Sequence, residues 1–446
     1  MTDTHATASP WASPAQAAAG ADQTDLRVAF TGKRGPLFWL AFKTGFFTIL
    51  TVGIYRFWMK TRLRRWYWSA IRPGGHPLEY VGDPIEKLLG FFIAVVILTF
   101  YIGIVNLLLM FVSFSVFSAS WVGYLASFAG VVPLWFYARY RARRYVLGRT
   151  RWRGVRFGLE KGAWGYAVRA LWYWALTLLS LGILWPRMTF LLEKYRTDRT
   201  FFGSARLTQG GRWPMLYRAT LPFVFSLLLL AGAALWVGWI DPVSAQTEAE
   251  EVIQFEDVIG MLEKGEFPGT LAAPERLLLF PLALAGLLFG AIYYTWVCKR
   301  IMAQHKFSDG IRFASALSGV RVAVIYVIGN FISYLALGIG LAALILGVVF
   351  LYWEAALFGD TSHVGQVWSD LPRWLTLLLL GILYLFVFLL WGVLHNTFIT
   401  FPLMRHLART TSLPEALGLD HISQRDRDNF AEAEGFAEAL DLGAAI

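Results

Sequence analysis

Leu50–Ile54 reads LTVGI, and the same shape returns as LSLGI at 179–183 and as LALGI at 335–339. Extended upstream without gaps, the three lines run RVAFTGKRGPLFWLAFKTGFFTILTVGI (27–54), RFGLEKGAWGYAVRALWYWALTLLSLGI (156–183) and RFASALSGVRVAVIYVIGNFISYLALGI (312–339). Each opens on an arginine 26 residues before the pentad glycine (Gly53, Gly182, Gly338). Each also carries a hydroxyl residue five positions before that glycine: Thr48, Thr177 and Ser333. One glycine in an apolar helix carries no message, because glycine is common in membrane helices. Three in one register read as an internal triplication. The spacings of 129 and 156 residues are too long for a solenoid and fit repeated membrane units.

The rest of the chain points to lipid. Of its 446 residues 57% are hydrophobic and 16% charged, with a mean hydropathy of +0.52. A soluble chain is roughly 45–50% apolar and about 25% charged. The single cysteine, Cys298, excludes a disulfide framework and a cysteine-based metal site. The net charge of +10 comes from basic residues beside apolar segments, which reads as positive-inside topology and not as nucleic-acid binding. The sequence divides into a disordered N-terminal tail (1–24), repeat 1 (25–148), repeat 2 (149–304, with an acidic periplasmic loop at 241–275), repeat 3 (305–410) and an acidic C-terminal tail (411–446).

The charges also constrain topology. Residues 56–72 and 139–161 are rich in arginine and lysine, and 187–218 adds more, whereas 241–275 is strongly acidic. Segment 164–186 therefore has basic loops at both ends. If it enters and returns on one face, every loop obeys the positive-inside rule. The pentad segments are accordingly read as re-entrant or interfacial, with the glycine where the backbone turns; the alternative is that they simply span. Each repeat then adds a helix pair: 88–117 with 119–138, 219–240 with 276–298, and 341–357 with 374–400, the third pentad ending near Gly338. Gly-centred pieces at 72–80 (RPGGHPLEY), 151–157 (RWRGVRF) and 307–313 (FSDGIRF) read either as short β-hairpins or as ordinary basic loops. The expected fold is an all-α polytopic membrane protein with three internal repeats and short cytoplasmic β-hairpins, in a bacterial inner membrane, both termini cytoplasmic.

An apolar stretch ending in L-x-[VL]-G-I, then an aromatic and basic run, then a Gly-centred hairpin resembles the bacterial inner-membrane family of domain of unknown function 898 (the YjgN-like proteins). The residues that carry the resemblance are LTVGIYRFWMKTRLRRWYW at 50–68, RPGGHPLEY at 72–80 and RTRWRGVRFGLEKG at 149–162. It covers most of 25–410 and is weakest in the third unit, where the basic segment is missing. The resemblance implies an integral inner-membrane protein without an assigned activity or catalytic residues.

No metalloprotease, phosphate-loop or serine-nucleophile motif occurs, and no histidine, cysteine and carboxylate set has metal spacing. No enzyme activity and no cofactor is expected. Polar residues inside apolar segments are the better candidates, since they are expensive in lipid. Asn330, His395 and Asn396, with Gly53, Gly182 and Gly338, are candidate pathway or hinge residues. Arg62, Arg64, Arg65, Arg141, Arg143 and Arg144 are candidate contacts for anionic lipid headgroups. The leading functional expectation is a transport or permeation protein. The alternative is a membrane scaffold that binds another protein or anionic lipid.

Overall fold

Strand β1 (Leu26–Phe30) feeds helix α1 (Arg34–Leu50), the chain turns at 51–55, and α2 (Arg56–Ala70) brings it back to β2 (Ile71–Pro73). β2 pairs antiparallel with β1, Phe30 opposite Ile71, so a strand pair closes the base of a helical hairpin. α1 is almost wholly apolar and buries Leu37, Ala41, Thr44 and Gly45. α2 exposes Arg56, Arg62 and Arg65 and buries Phe57, Leu63 and Tyr67, the alternation a half-buried helix needs. This is a computed structural model, and it describes residues 26–425 apart from 118–119, 241–244, 247–251, 254–269, 272–273, 309 and 352–371. The expected N-terminal tail, most of the acidic loop and residues 426–446 lie outside the described residues.

β3 (Leu78–Tyr80) precedes two long helices that pack together, α3 (Pro84–Phe117) and α4 (Ser120–Gly148). Then the first pattern recurs. β4 (Thr150–Trp152) and β5 (Val155–Leu159) lead into α5 (Ala163–Leu179), a turn, α6 (Trp185–Thr197), and β6 (Thr200–Phe202). β6 pairs with β5, Leu159 opposite Thr200, and closes this second hairpin in the same way. β5 and α5 begin and end 129 positions after β1 and α1 (26 to 155, 30 to 159, 34 to 163, 50 to 179). Short strands β7 (Ala205–Arg206) and β8 (Thr208–Gln209) follow.

After α7 (Tyr217–Leu235), a π-helical turn (Trp236–Ile240), the two-residue strands β9 (Ala245–Gln246), β10 (Val252–Ile253) and β11 (Thr270–Leu271), and α8 (Leu279–Gln304), a third strand–helix line begins. β12 (Lys306–Ser308) and β13 (Ile311–Ser315) lead into α9 (Gly319–Leu351). β13 and α9 start 285 positions after β1 and α1 (26 to 311, 34 to 319). The chain returns through α10 (Arg373–His395), a π-helical turn (Asn396–Thr400) and α11 (Phe401–Arg409) to β14 (Thr411–Glu415), which pairs with β13, Ser315 opposite Thr411.

The all-α expectation needs correcting, because the described strands build two large antiparallel sheets besides a small one in the order β10-β9-β11. One has six strands in the order β2-β1-β14-β13-β12-β8, the other five in the order β3-β4-β5-β6-β7. Two of the Gly-centred pieces are hairpins: Arg153 and Gly154 take φ of 50° and 80° between β4 and β5, and Gly310 takes 79° between β12 and β13. Such positive values are what tight two-residue connections require. The third piece is not a hairpin. β2 pairs with β1 while β3 pairs with β4, so 74–77 crosses from one sheet to the other. Pro73, opposite Val28, has no N–H to give a hairpin partner, and Gly74 and Gly75, at φ 55° and 82°, turn the chain away. Residues 411–415, assigned from sequence to the tail, lie in the middle of the six-stranded sheet.

Among the described residues, four helices are long and apolar enough to cross a membrane: Trp213–Leu235, Arg276–Gln304, Gly319–Ala343 and Arg373–Arg409. The expected break near Gly338 does not occur, since α9 runs through it unbroken to Leu351. The first two pentads are followed by Tyr55-Arg56 and Trp185-Pro186-Arg187, the third by the apolar GLAALILG. A helix that stays apolar satisfies its backbone internally and has no reason to stop.

The chain forms two compact units, one of Met1–Gly211, Met302–Ala316 and Val324–Ile446, the other of Arg212–Ile301 and Leu317–Ala323. Both large sheets and both pentad hairpins belong to the first. In the second, α7 and α8 meet at Gly286 and Gly290, a G-x-x-x-G pair. A Cβ on Gly290 would stand 2.6 Å from the Cα of Phe223. Gly290→Val is therefore expected to cost about 1–3 kcal/mol and to lower the melting temperature of detergent-solubilised protein. Gly338→Ala, with nothing within 4 Å of the added carbon, should leave it unchanged or raise it.

Candidate functional site

The two pentad turns are the same object built twice. Gly53 and Gly182 take φ of 89° and 87°, and the residues before them, Val52 and Leu181, take 51° and 49°. The Gly53 N–H donates to the Thr48 carbonyl at 2.7 Å and the Gly182 N–H to the Thr177 carbonyl at 2.8 Å, which closes each helix end. The Thr48 and Thr177 hydroxyls each donate to the carbonyl four residues back, at 2.8 and 2.7 Å. Each also meets the sulfur of a methionine on the returning helix, Met59 or Met188, at 3.8 Å. Ser333 back-bonds in the same way at 2.7 Å to Gly329, but no turn follows it. Gly338 is therefore a helical residue and not a hinge.

A second place gathers polar residues from three helices. Gly329 on α9 is pressed against the π-helical turn, where a Cβ would lie 2.7 Å from the Phe398 carbonyl oxygen. The next residue, Asn330, donates its amide to the Tyr326 carbonyl at 2.8 Å. Tyr334 stacks on Trp391 at 4.9 Å, and Trp391 lies 6.4 Å from the His395 ring. His395 Nδ1 is 3.4 Å from the Thr400 hydroxyl, and the Asn396 side chain donates to the Gly392 carbonyl at 2.8 Å. From α2, the fully buried Tyr67 hydroxyl donates to the Asn396 carbonyl at 3.2 Å. Burial pushes that phenol up, so Tyr67 stays a neutral donor at any physiological pH. The structure thus brings Asn330, His395 and Asn396 to one helix crossing, and holds Gly53 and Gly182 at hairpin tips.

The six candidate arginines differ in freedom. Arg62 is exposed and lies over the Tyr55 ring at 5.6 Å. Arg65 is exposed and donates to the Gly82 carbonyl at 2.9 Å. Arg64 is buried and donates to the Tyr80 hydroxyl at 3.3 Å, on a ring it shares with Lys87. Arg141 donates to the Tyr137 hydroxyl at 3.1 Å and Arg144 to the Leu159 carbonyl at 3.2 Å. Arg143 belongs to an ion cluster that the sequence did not single out. Glu193 on α6, with a side chain 13% exposed, pairs with Arg196 at 2.6 Å, Lys306 at 3.0 Å and Arg143 at 3.4 Å. Burial alone would raise the Glu193 carboxyl, but Arg196, Arg143 and Lys306 hold it well below the usual carboxylate range. One of only two acids in the basic stretch 187–218, with Asp198, Glu193 was the available signal.

A model of a bacterial protein family of unknown function, DUF898, matches residues 25–346, more than half of the chain. This chain belongs to the DUF898 family. The match begins one residue before β1 and ends inside α9, so it takes in both pentad hairpins and the third strand–helix line. No curated protein and no solved structure matches the chain.

Two outcomes follow for these sites. Glu193→Gln leaves three cations around a neutral amide and is expected to cost about 3–5 kcal/mol, read as a lower melting temperature at pH 7. Because the folded carboxyl is depressed, its contribution is full above the unfolded value of about 4.3 and is lost as pH falls towards the folded value. The wild type should therefore lose stability on acidification, and the gap to Glu193→Gln should close below about pH 4.

Proposed function

We propose that this chain is a non-enzymatic inner-membrane platform, three copies of one strand–helix module, whose basic returning helices meet an anionic headgroup layer and whose sheets present a rigid base to a protein partner. The observation that carries the reading is the strand pair under each helical excursion: β1 with β2, β5 with β6, β13 with β14. The first two hairpins come back to the sheet they left. This supports their reading as re-entrant or interfacial segments, with the basic side and both termini cytoplasmic. Arg62 and Arg65 are exposed, and Arg65 is held by the Gly82 carbonyl, which lowers the entropic cost of its meeting a phosphate.

A second reading, transport, is supported by one observation: the crossing of Gly329 on Phe398 has polar residues beside it in apolar helices, Asn330 on α9 and His395 and Asn396 at the end of α10, each bonded within its own segment. Phospholipid retained on gently purified protein separates the two. Wild type should keep anionic phospholipid well above its share of the membrane, and Arg62→Gln/Arg65→Gln/Arg141→Gln should bring it down to that share. Equal retention by both would remove the platform's lipid contact. Labelling of cysteines at Asn330 and His395 by a water-soluble reagent in the bilayer would favour transport.

A further inference from the structure

The tips of the two hairpins carry the wrong residues for their backbone. Positive φ suits glycine and is tolerated by asparagine; for a β-branched or bulky residue it is an outlier. Yet Val52 sits there at φ 51° and Leu181 at 49°. Neither side chain repays the strain by packing inside the protein, for Val52 is 93% and Leu181 94% exposed. The flanking residues are of the same kind: Leu50 and Ile54 beside one, Leu179 and Ile183 beside the other, all exposed. Two separate turns thus present an aliphatic knuckle outward at equivalent positions, on equivalent hydrogen bonds.

The charges set how far such a knuckle reaches. Arg56 follows Gly53 by three residues and Arg187 follows Gly182 by five, both exposed. Three and five residues of chain, mostly turn, separate the cations from the tip glycines, so even fully extended they stand within about 11–18 Å of them. Exposed Trp185 lies in that collar in the second hairpin, and Tyr55, under Arg62, in the first. Aliphatic tip, aromatic band, then guanidinium groups is the order of acyl chain, interface and anionic headgroup.

We infer that Val52 and Leu181, with Leu50, Ile54, Leu179 and Ile183, are seated in the upper acyl region of one leaflet as a pair of shallow wedges. The inference rests on the platform reading only for the presence of a bilayer beside the basic helices. It goes beyond it in naming the residues that enter hydrocarbon and the depth at which they stop.

The test uses full-length protein in nanodiscs containing anionic lipid, on a Cys298→Ser background, with a nitroxide on a single cysteine replacing Val52, Leu181 or, as the polar reference, the exposed Ser69. Relaxation by oxygen, which partitions into acyl chains, is compared with relaxation by a water-soluble nickel chelate. The oxygen-to-nickel ratio should be several-fold higher at 52 and at 181 than at 69. A tip label that behaves like the one at 69 overturns the inference, as does one shielded from both reagents, which would mean that protein covers the tip. Lipid retention is read on the same preparations: if anionic lipid persists while the tips are aqueous, only the wedge fails and the platform stands. Val52→Asn/Leu181→Asn suits the αL backbone and should preserve the fold. With it, labels at Ile54 and Ile183 should move towards nickel accessibility, and an unchanged ratio would show that the two side chains do not set the depth.

Discussion

Antiparallel pairing at the base of each helical excursion is the constraint on which the other features depend. A hairpin of two helices, one apolar and one basic, has little reason to hold its two ends together in water or at an interface. Joining those ends through β1 with β2 and β5 with β6 fixes the start of the first helix beside the end of the second, and the two helices meet again near the tip, Thr48 on Met59 and Thr177 on Met188. The same device closes the third excursion, although its helices are long enough to cross a membrane. One base therefore serves two kinds of superstructure, a short hairpin and a pair of spans.

What decides between them is local. At Gly53 and Gly182 the helix ends because an αL pair and a threonine carbonyl close it, and because aromatic, proline and arginine residues follow. At Gly338 the same pentad is followed by apolar residues and the helix continues. Glycine permits a turn there as well. The neighbours supply, or fail to supply, the free-energy reason for one.

This is also where the sequence is most and least legible. The arginine that opens each aligned line, Arg27, Arg156 or Arg312, is the second residue of β1, β5 or β13, although the alignment was read as membrane units and not as strands. The position of the hydroxyl was legible but its role was not: at Thr48, Thr177 and Ser333 it donates to the carbonyl four residues before it. Long-range pairing was not legible. β14 reads TSLPE, with a proline that argues against a central strand, and the structure accommodates it beside a register shift opposite Arg312–Ala314. Tyr67 and Asn396 are 329 residues apart, and no spacing rule links them. Glu193 was overlooked for a different reason: 187–218 was read for its basic residues alone, whereas this carboxylate is the point where α4, α6 and β12 are tied together.

The place of β14 between β1 and β13 has a consequence for how the chain is made. β1 leaves the ribosome early, and one of its edges is filled by Leu413 and Ser412, in a strand that begins some 385 residues later (26 to 411). At about 5–20 residues per second that edge stays open for roughly 20–80 s of synthesis. An unpaired strand reading LRVAF is a template for illegitimate pairing during that interval. A chain that stops short of residue 411 lacks β14, and the edges of β1 and β13 that β14 covers are then left unpaired.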